Sequence, residues 1–259
     1  ALIRGGRRLR WVHASGAGVD TYLIPALTES SIVFTNGKIL QGPHVADQAL
    51  ALLLTLTRGI HLVLRDDPKW ARPRPIELRG KRAVVVGAGG IGLLIAERLH
   101  AFGVEVACVN DANIPMLLSV SRTYMPDELL EAVADMDFIV CSAPLTPRSR
   151  GMFGEAEFSA MKKGAIFINV SRGGLTRTEA LTAALQSQRL GAAGLDVTDP
   201  EPLPKDHPLR AMRNVVITPH MAGMSDTNHA RGFEIIVRNL RRFIAGRALV
   251  NVVDKKAGY

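Results

Sequence analysis

The stretch Ala83-Val84-Val85-Val86-Gly87-Ala88-Gly89-Gly90-Ile91-Gly92 decides the fold of this chain. A run of small β-branched residues ends in three glycines spaced GxGxxG (Gly87, Gly89 and Gly92), and a helical stretch, Gly90–Phe102, begins inside that spacing. Glycines are common, so the spacing alone says little; after an apolar strand, at the start of a helix, it is the dinucleotide-binding turn of a βαβ unit. Gly87 permits the tight turn, Gly89 lets a pyrophosphate approach the backbone, and Gly92 lets helix and strand pack closely. The N–H groups at the helix start, from Gly90 and Ile91, then face the phosphates.

Downstream the same alternation continues. Strands are expected at Val104–Val109, Phe138–Ser142, Ala165–Val170, Ala192–Val197 and Val215–Thr218, and helices at Pro126–Asp135, Glu155–Met161 and Arg177–Gln188. Several of these strands are apolar at every position, the pattern of a parallel sheet covered on both faces. Strand and helix in alternation argue for a doubly wound α/β sheet. Upstream, one long helix is expected over His44–Leu64, followed by connectors at Asp66-Asp67-Pro68 and Pro73-Arg74-Pro75. A last helix is expected over Ser225–Ile244, capped by Ser225 or Asp226 and stopped at Gly246.

Composition limits the alternatives. The chain has 259 residues, 47% hydrophobic and 22% charged, which is ample for a sizeable core. Its formal net charge of +8 suits a protein that handles anions, but no nucleic-acid-binding signature accompanies the arginines near either end, and a solvated face is the simpler reading. The longest apolar run, Ala49–Leu54, is far short of the ~20 residues of a membrane span, and no signal-peptide core follows the Arg-rich start. Cys108 and Cys141 lie in apolar strands as small hydrophobes, and no metal-ligand spacing occurs. The expected setting is cytoplasmic, with no nucleic acid, membrane or metal.

Ligands of a parallel sheet bind outside the carboxyl ends of its strands. At the end of the second strand, about 20 residues past the glycine turn, stand Asn110 and Asp111, where an acidic residue bonds the adenosine ribose. No Arg or Lys lies between Glu105 and Ser121 to clamp a 2′-phosphate, which favours NAD, with NADP less suited. Just past later strands come Arg172, Asp196 and His220, with Glu201 in the loop after Asp196. Hydride transfer to a 2-oxo acid needs a proton donor, which His220 supplies beside a carboxylate. It also needs a cation for the substrate carboxylate and the polarised carbonyl, for which the Arg172 guanidinium is suited. Asp196 would accept from the nicotinamide carboxamide.

With those residues placed, the chain resembles the D-isomer-specific 2-hydroxyacid dehydrogenases over essentially its whole length. The segments that carry the resemblance are Val86–Gly92, Pro144-Leu145-Thr146-Pro147, Ile168–Gly174 (with Ser171 and Arg172), Gly194–Val197, Pro200–Pro204, Thr218-Pro219-His220 and Asn251–Asp254. The resemblance implies that Arg172 binds the substrate carboxylate, that Glu201 pairs with the acid/base His220, and that Asp196 holds the carboxamide. It implies cofactor contacts from Gly87, Gly89, Gly90, Ile91, Gly92, Asn110, Asp111, Pro144, Ser171, Asp196 and His220. The loop Ser15–Asp20 looks like the family's amide-lined carboxylate loop, with Ala17 and Gly18 as the substrate-binding residues. Val45-Ala46-Asp47 opens what looks like the interdomain helix, although Glu is more usual where Asp47 stands. Asn110 departs from the Asp typical of NAD-using members.

The resemblance therefore implies an α/β protein: a Rossmann-type doubly wound parallel sheet over 44–221, plus a smaller flavodoxin-like substrate domain over 1–43 completed by 222–259. That smaller domain is expected to be N-terminally incomplete, because roughly two βα units of the family are missing before the strand near Arg10–Ala14. The implied activity is hydride transfer between NAD(H) and a small 2-oxo or D-2-hydroxy acid of the glyoxylate, hydroxypyruvate or phosphohydroxypyruvate type, in a homodimer. Glu201 argues against a formate-oxidising relative, in which Gln stands there. An NAD(H)-responsive corepressor-like binding protein and a catalytically inactive NAD-binding fragment are the competing readings.

Overall fold

The computed structural model describes residues 2–6, 8–38, 40–65, 74–112, 114 and 117–259. Two compact units emerge, Ala1–His44 with Gly223–Tyr259, and Val45–Ala222. In the first, β1 (Trp11–His13) and β2 (Val33–Thr35) pair in parallel, with Trp11 opposite Val33 and His13 opposite Thr35. Ala14, Val19, Leu27, Ile32, Phe34 and Val253 form its small core.

The second unit contains β3 (Arg82–Val86), β4 (Glu105–Val109), β5 (Arg122–Tyr124), β6 (Phe138–Cys141), β7 (Ala165–Asn169), β8 (Leu190–Leu195) and β9 (Val215–Ile217). All pair in parallel in the order β5-β4-β3-β6-β7-β8-β9. The chain winds outward in one direction from β3 to β5, then returns to the other side of β3 at β6. That reversal places a crevice at the carboxyl ends of β3 and β6.

The unbroken apolar strands follow from this topology. Val84, Val86, Ile139, Cys141 and Phe167 face one core with Leu129, Val133, Phe158, Leu181 and Leu185 of the helices Leu129–Ala134, Glu155–Ala160 and Thr178–Gln186. Ala83, Val85, Phe138, Val140, Ile166 and Ile168 face the other, against Leu53 and Leu56 of Gly42–Thr57 and Ile95 and Leu99 of Gly90–Ala101. Each strand has two inward faces because successive side chains point to opposite sides.

Two expectations need correction, and one strand was not anticipated. The long helix of His44–Leu64 is two, Gly42–Thr57 and Ile60–Arg65, broken where Gly59 turns to φ +68°. The last helix runs Asn228–Ile244 with Thr227 at its cap position, and neither Ser225 nor Asp226 caps it: the Ser225 hydroxyl bonds that of Thr227 instead. β5 went unrecognised, since only three residues form it and two of them are exposed. Of the connectors, residues 66–68 and 73 lie outside the described residues.

Candidate active site

The glycine turn is held by its own backbone and by one serine. Gly87 adopts φ +97°, and a Cβ there would lie about 2.5 Å from the Ala143 backbone. A Cβ on Gly92 would overlap the Gly87 carbonyl oxygen, so helix and turn meet only through glycine. Ser142, at the end of β6, donates its hydroxyl to that same carbonyl at 2.7 Å. Gly89 differs: a Cβ there would meet nothing within 4 Å, and no side chain caps the 12-residue helix that Gly90 begins. The first helical N–H groups thus open onto space at a positive helix end, which fits the pyrophosphate of a dinucleotide.

Around this turn the strand ends bring several expected residues to one rim. Asn110 follows β4; its Oδ1 accepts the Ala88 N–H at 3.2 Å and its Nδ2 donates to the Ala112 carbonyl at 2.7 Å. The amide therefore braces the glycine turn, while the neighbouring Asp111 is exposed. Pro144 is exposed after β6, and its carbonyl accepts the Ser149 hydroxyl at 2.7 Å. Past β7, the Ser171 hydroxyl donates to the Ala143 carbonyl, which joins this loop to the one after β6. Arg172 is half-buried, and its Nη1 donates to the Ser171 carbonyl at 2.9 Å.

At the far end of the same sheet, His220 Nδ1 and Glu201 Oε1 lie 2.6 Å apart, with side chains 43% and 41% exposed. Nε2 has no protein partner among the described residues, so one ring nitrogen is held and the other is left for a ligand or solvent. The second Glu201 oxygen accepts the Thr198 N–H at 3.3 Å, anchoring the carboxylate. His220 sits at φ +51°, a left-handed conformation uncommon outside glycine and found among residues held in place for a function. Asp196 is 1% exposed and takes three donors on its carboxylate: the Thr218 hydroxyl at 2.6 Å, Met221 N–H at 3.0 Å and Ala222 N–H at 2.9 Å. Two of the three fall on Oδ1, leaving Oδ2 with the larger share of free acceptor capacity.

The loop Ser15–Asp20 belongs to the other unit. The Ala17 N–H already donates to Gln41 Oε1 at 3.2 Å, and Asn36 Nδ2 donates to the Ala17 carbonyl at 2.7 Å. Gly18 and Ala17 are half-buried. Asp47, in the helix Gly42–Thr57, pairs with Arg98 at 2.8 Å and so links two helices that cover one sheet face.

Sequence reasoning missed the supporting polar side chains. Asn169, 1% exposed at the end of β7, accepts the Ser171 N–H at 3.0 Å and donates to the Arg172 carbonyl at 3.0 Å, shaping the turn that carries the guanidinium. The signal was present, since one amide closes the otherwise apolar Ala165-Ile166-Phe167-Ile168-Asn169. Ser142, Gln48 and Thr218 carried no comparable mark. Among the described residues no group of three potential metal ligands forms, and no helix is long and apolar enough to cross a membrane.

Comparison with known proteins gives the same family. The family described as D-isomer specific 2-hydroxyacid dehydrogenase, NAD binding domain, matches residues 50–222. D-3-phosphoglycerate dehydrogenase from Methanocaldococcus jannaschii is 33% identical over 98% of this chain, which spans 49% of that protein's length. Glyoxylate/hydroxypyruvate reductase B from Enterobacter sp. (strain 638) is 32% identical, with 98% of this chain and 81% of the relative aligned. Among solved structures, a D-isomer-specific 2-hydroxyacid dehydrogenase from Xanthobacter autotrophicus Py2, in complex with NADPH and MES, superposes with a TM-score of 0.87 at 32% identity, covering 98% of this chain and 80% of that one. The chain belongs to the D-isomer-specific 2-hydroxyacid dehydrogenases, a family of NAD(P)-dependent dehydrogenases and reductases.

Proposed function

We propose that this chain catalyses NAD(H)-linked interconversion of a small 2-oxo acid, of the glyoxylate, hydroxypyruvate or phosphohydroxypyruvate type, and its D-2-hydroxy acid. The observation that carries the reading is the 2.6 Å His220–Glu201 pair on the sheet that carries the glycine turn. When bound, the nicotinamide dinucleotide supplies or accepts the hydride. Reduction of a carbonyl leaves an alkoxide that must be protonated, and His220 Nε2 is the ring nitrogen available to do it. Glu201 holds Nδ1, fixes the ring's orientation and balances the imidazolium charge. In the reverse direction the neutral imidazole takes the hydroxyl proton. Arg172 pairs with the substrate carboxylate and polarises the adjacent carbonyl, and in the other unit the Ala17 and Gly18 amides are, by resemblance alone, donors for a carboxylate. Asp196 Oδ2 accepts from the carboxamide.

For the cofactor, the reading is NAD rather than NADP. Asn110 is engaged with its own loop, so exposed Asp111 is the charge next to the ribose position, and it repels a 2′-phosphate. The overall charge of +8 then serves an anionic cofactor and substrate. The homodimer rests on resemblance, and sedimentation equilibrium against the 28.0 kDa chain mass reads it directly.

The test follows NADH and NADPH absorbance across a panel of 2-oxo acids, with His220→Ala alongside. The variant is expected to lose ~10²–10⁴-fold in turnover while still binding NADH. Wild-type turnover in His220→Ala sinks the mechanism; NADPH outperforming NADH sinks the reading of Asp111.

A further inference from the structure

Behind the His220 turn runs a line of polar contacts with a fixed direction. Gln48 Nε2 donates to Thr218 Oγ1 at 3.0 Å, and that oxygen lies 2.6 Å from Asp196 Oδ1. An ionised carboxylate only accepts, so the single hydroxyl hydrogen of Thr218 goes to Asp196, and the Gln48 amide must present its NH2 group to the lone pair left over. Asp196, just past β8, gathers the turn that follows the neighbouring strand β9. Its carboxylate takes the N–H groups of Met221 and Ala222, and its backbone carbonyl takes that of His220 at 2.8 Å. The left-handed His220 turn is thus held at three N–H groups by Asp196, which is 1% exposed, and the His220 N–H has a second acceptor in the Thr218 carbonyl at 3.0 Å.

We propose that Gln48 and Thr218 are positioning residues for the acid/base histidine: Gln48 orients the Thr218 hydroxyl, the hydroxyl secures the Asp196 carboxylate, and the carboxylate holds the His220-Met221-Ala222 turn in the conformation that presents Nε2. A buried carboxylate that loses one of three donors is left under-compensated, and its remaining bonds rearrange to recover the loss. An uncommon backbone conformation persists only while its surroundings over-determine it, so the His220 turn is where that rearrangement registers. The proposal rests on the reading of His220 as acid/base.

Three substitutions test it. Thr218→Val keeps the shape and removes the hydroxyl, Thr218→Ser restores it, and Gln48→Glu puts an acceptor where the donor stood, drawing the hydroxyl hydrogen away from Asp196. Because misplacing a catalytic group by about 1 Å costs ~10²-fold, Thr218→Val and Gln48→Glu are expected to lower kcat by ~10–100-fold with KM for the 2-oxo acid changed less than ~3-fold, and Thr218→Ser to recover most of kcat. Amide hydrogen exchange in the protein without cofactor gives a readout that needs no turnover: Met221 and Ala222 are expected to exchange ~10-fold faster or more in Thr218→Val and Gln48→Glu, and to regain protection in Thr218→Ser. Unchanged exchange at those two amides, or an unchanged kcat in a folded Thr218→Val or Gln48→Glu, overturns the proposal, as does failure of the serine variant to recover both. If His220→Ala keeps its turnover the catalytic reading falls, while the exchange result still decides whether the line of contacts holds the turn.

Discussion

Both units of this chain contain parallel strands, and they hold them in different ways. In Val45–Ala222 seven strands form one sheet, and nearly every residue of β3, β4, β6, β7 and β8 is an apolar contact in a core on one face or the other. In Ala1–His44 with Gly223–Tyr259 two strands of three residues share one small core, and polar bonds do much of the holding. Lys255 Nζ reaches the carbonyls of Leu27, Ser30 and Ile32 at 3.1, 2.6 and 3.2 Å, Asn251 Nδ2 reaches those of Asn36 and Lys38, and Thr35 Oγ1 accepts from Trp11 Nε1 at 2.8 Å. A two-stranded pair is marginal by itself, and these side chains add directed bonds to its small core. The difference teaches that one pairing pattern can rest on area in one place and on a few directed bonds in another.

Substitutions in the two units sharpen that contrast. The largest effect is expected in the sheet: Phe167, fully buried and edge-on to Phe153 and Phe158 at 4.9 and 5.5 Å between ring centres, should lose about 3–5 kcal/mol on change to Ala, measured by denaturant unfolding. A loss below about 1 kcal/mol would mean that this core relaxes freely and that area is not what holds it. Next comes Lys255→Met, which keeps the apolar stem and removes three donors; it should cost about 1–3 kcal/mol and speed amide exchange in Trp11–His13 and Val33–Thr35 before it does so in β6 or β7. Uniform acceleration in both units would erase the contrast.

The smallest effect is a pH dependence confined to the polar-bonded unit. His13 Nδ1 lies 2.8 Å from Thr35 Oγ1, its Nε2 is buried without a partner among the described residues, and burial holds its pKa below the ordinary value of 6.5. The unfolded chain therefore binds this proton more readily than the folded one. The stability contributed is present above pH 6.5 and is lost as pH falls from there through the lower folded value. Protection factors at Val12 and Phe34 should fall across that range and become flat in His13→Phe, while those of Val140 and Ile168 stay unchanged.

The same contrast explains what could be read in advance. Apart from β5, the strands from Ala83 to Val215 are legible because both faces are covered, and covering leaves an unbroken apolar run. The glycine turn is legible because its spacing and its place between strand and helix coincide. Arg172, Asp196, Glu201 and His220, the residues of the proposed site, are singled out because a parallel sheet brings ligands to one set of strand ends. Gln48, Asn169 and Thr218 could not be assigned roles, since each acts by meeting a backbone or side chain set beside it only on folding. Asn110 illustrates the limit from the other side: its position was recognised, but its bond to Ala88 across the glycine turn depends on the turn's shape. The break at Gly59 was hidden by apolar residues that continue at helical spacing on both sides.

One contact in the smaller unit reaches further than its length suggests. Gln41 spans the Ala17 N–H and, through Nε2, the Gly223 carbonyl at 3.4 Å, so a neutral oxygen already rests on the loop Ser15–Asp20. An incoming neutral oxygen would at best exchange like for like with it. An anionic one gains, because hydrogen bonds to ionised acceptors are roughly twice as strong. If this loop is the carboxylate site proposed above, the glutamine works as a threshold: the loop's shape is set before a ligand arrives, and a charged competitor has reason to displace the side chain that occupies it.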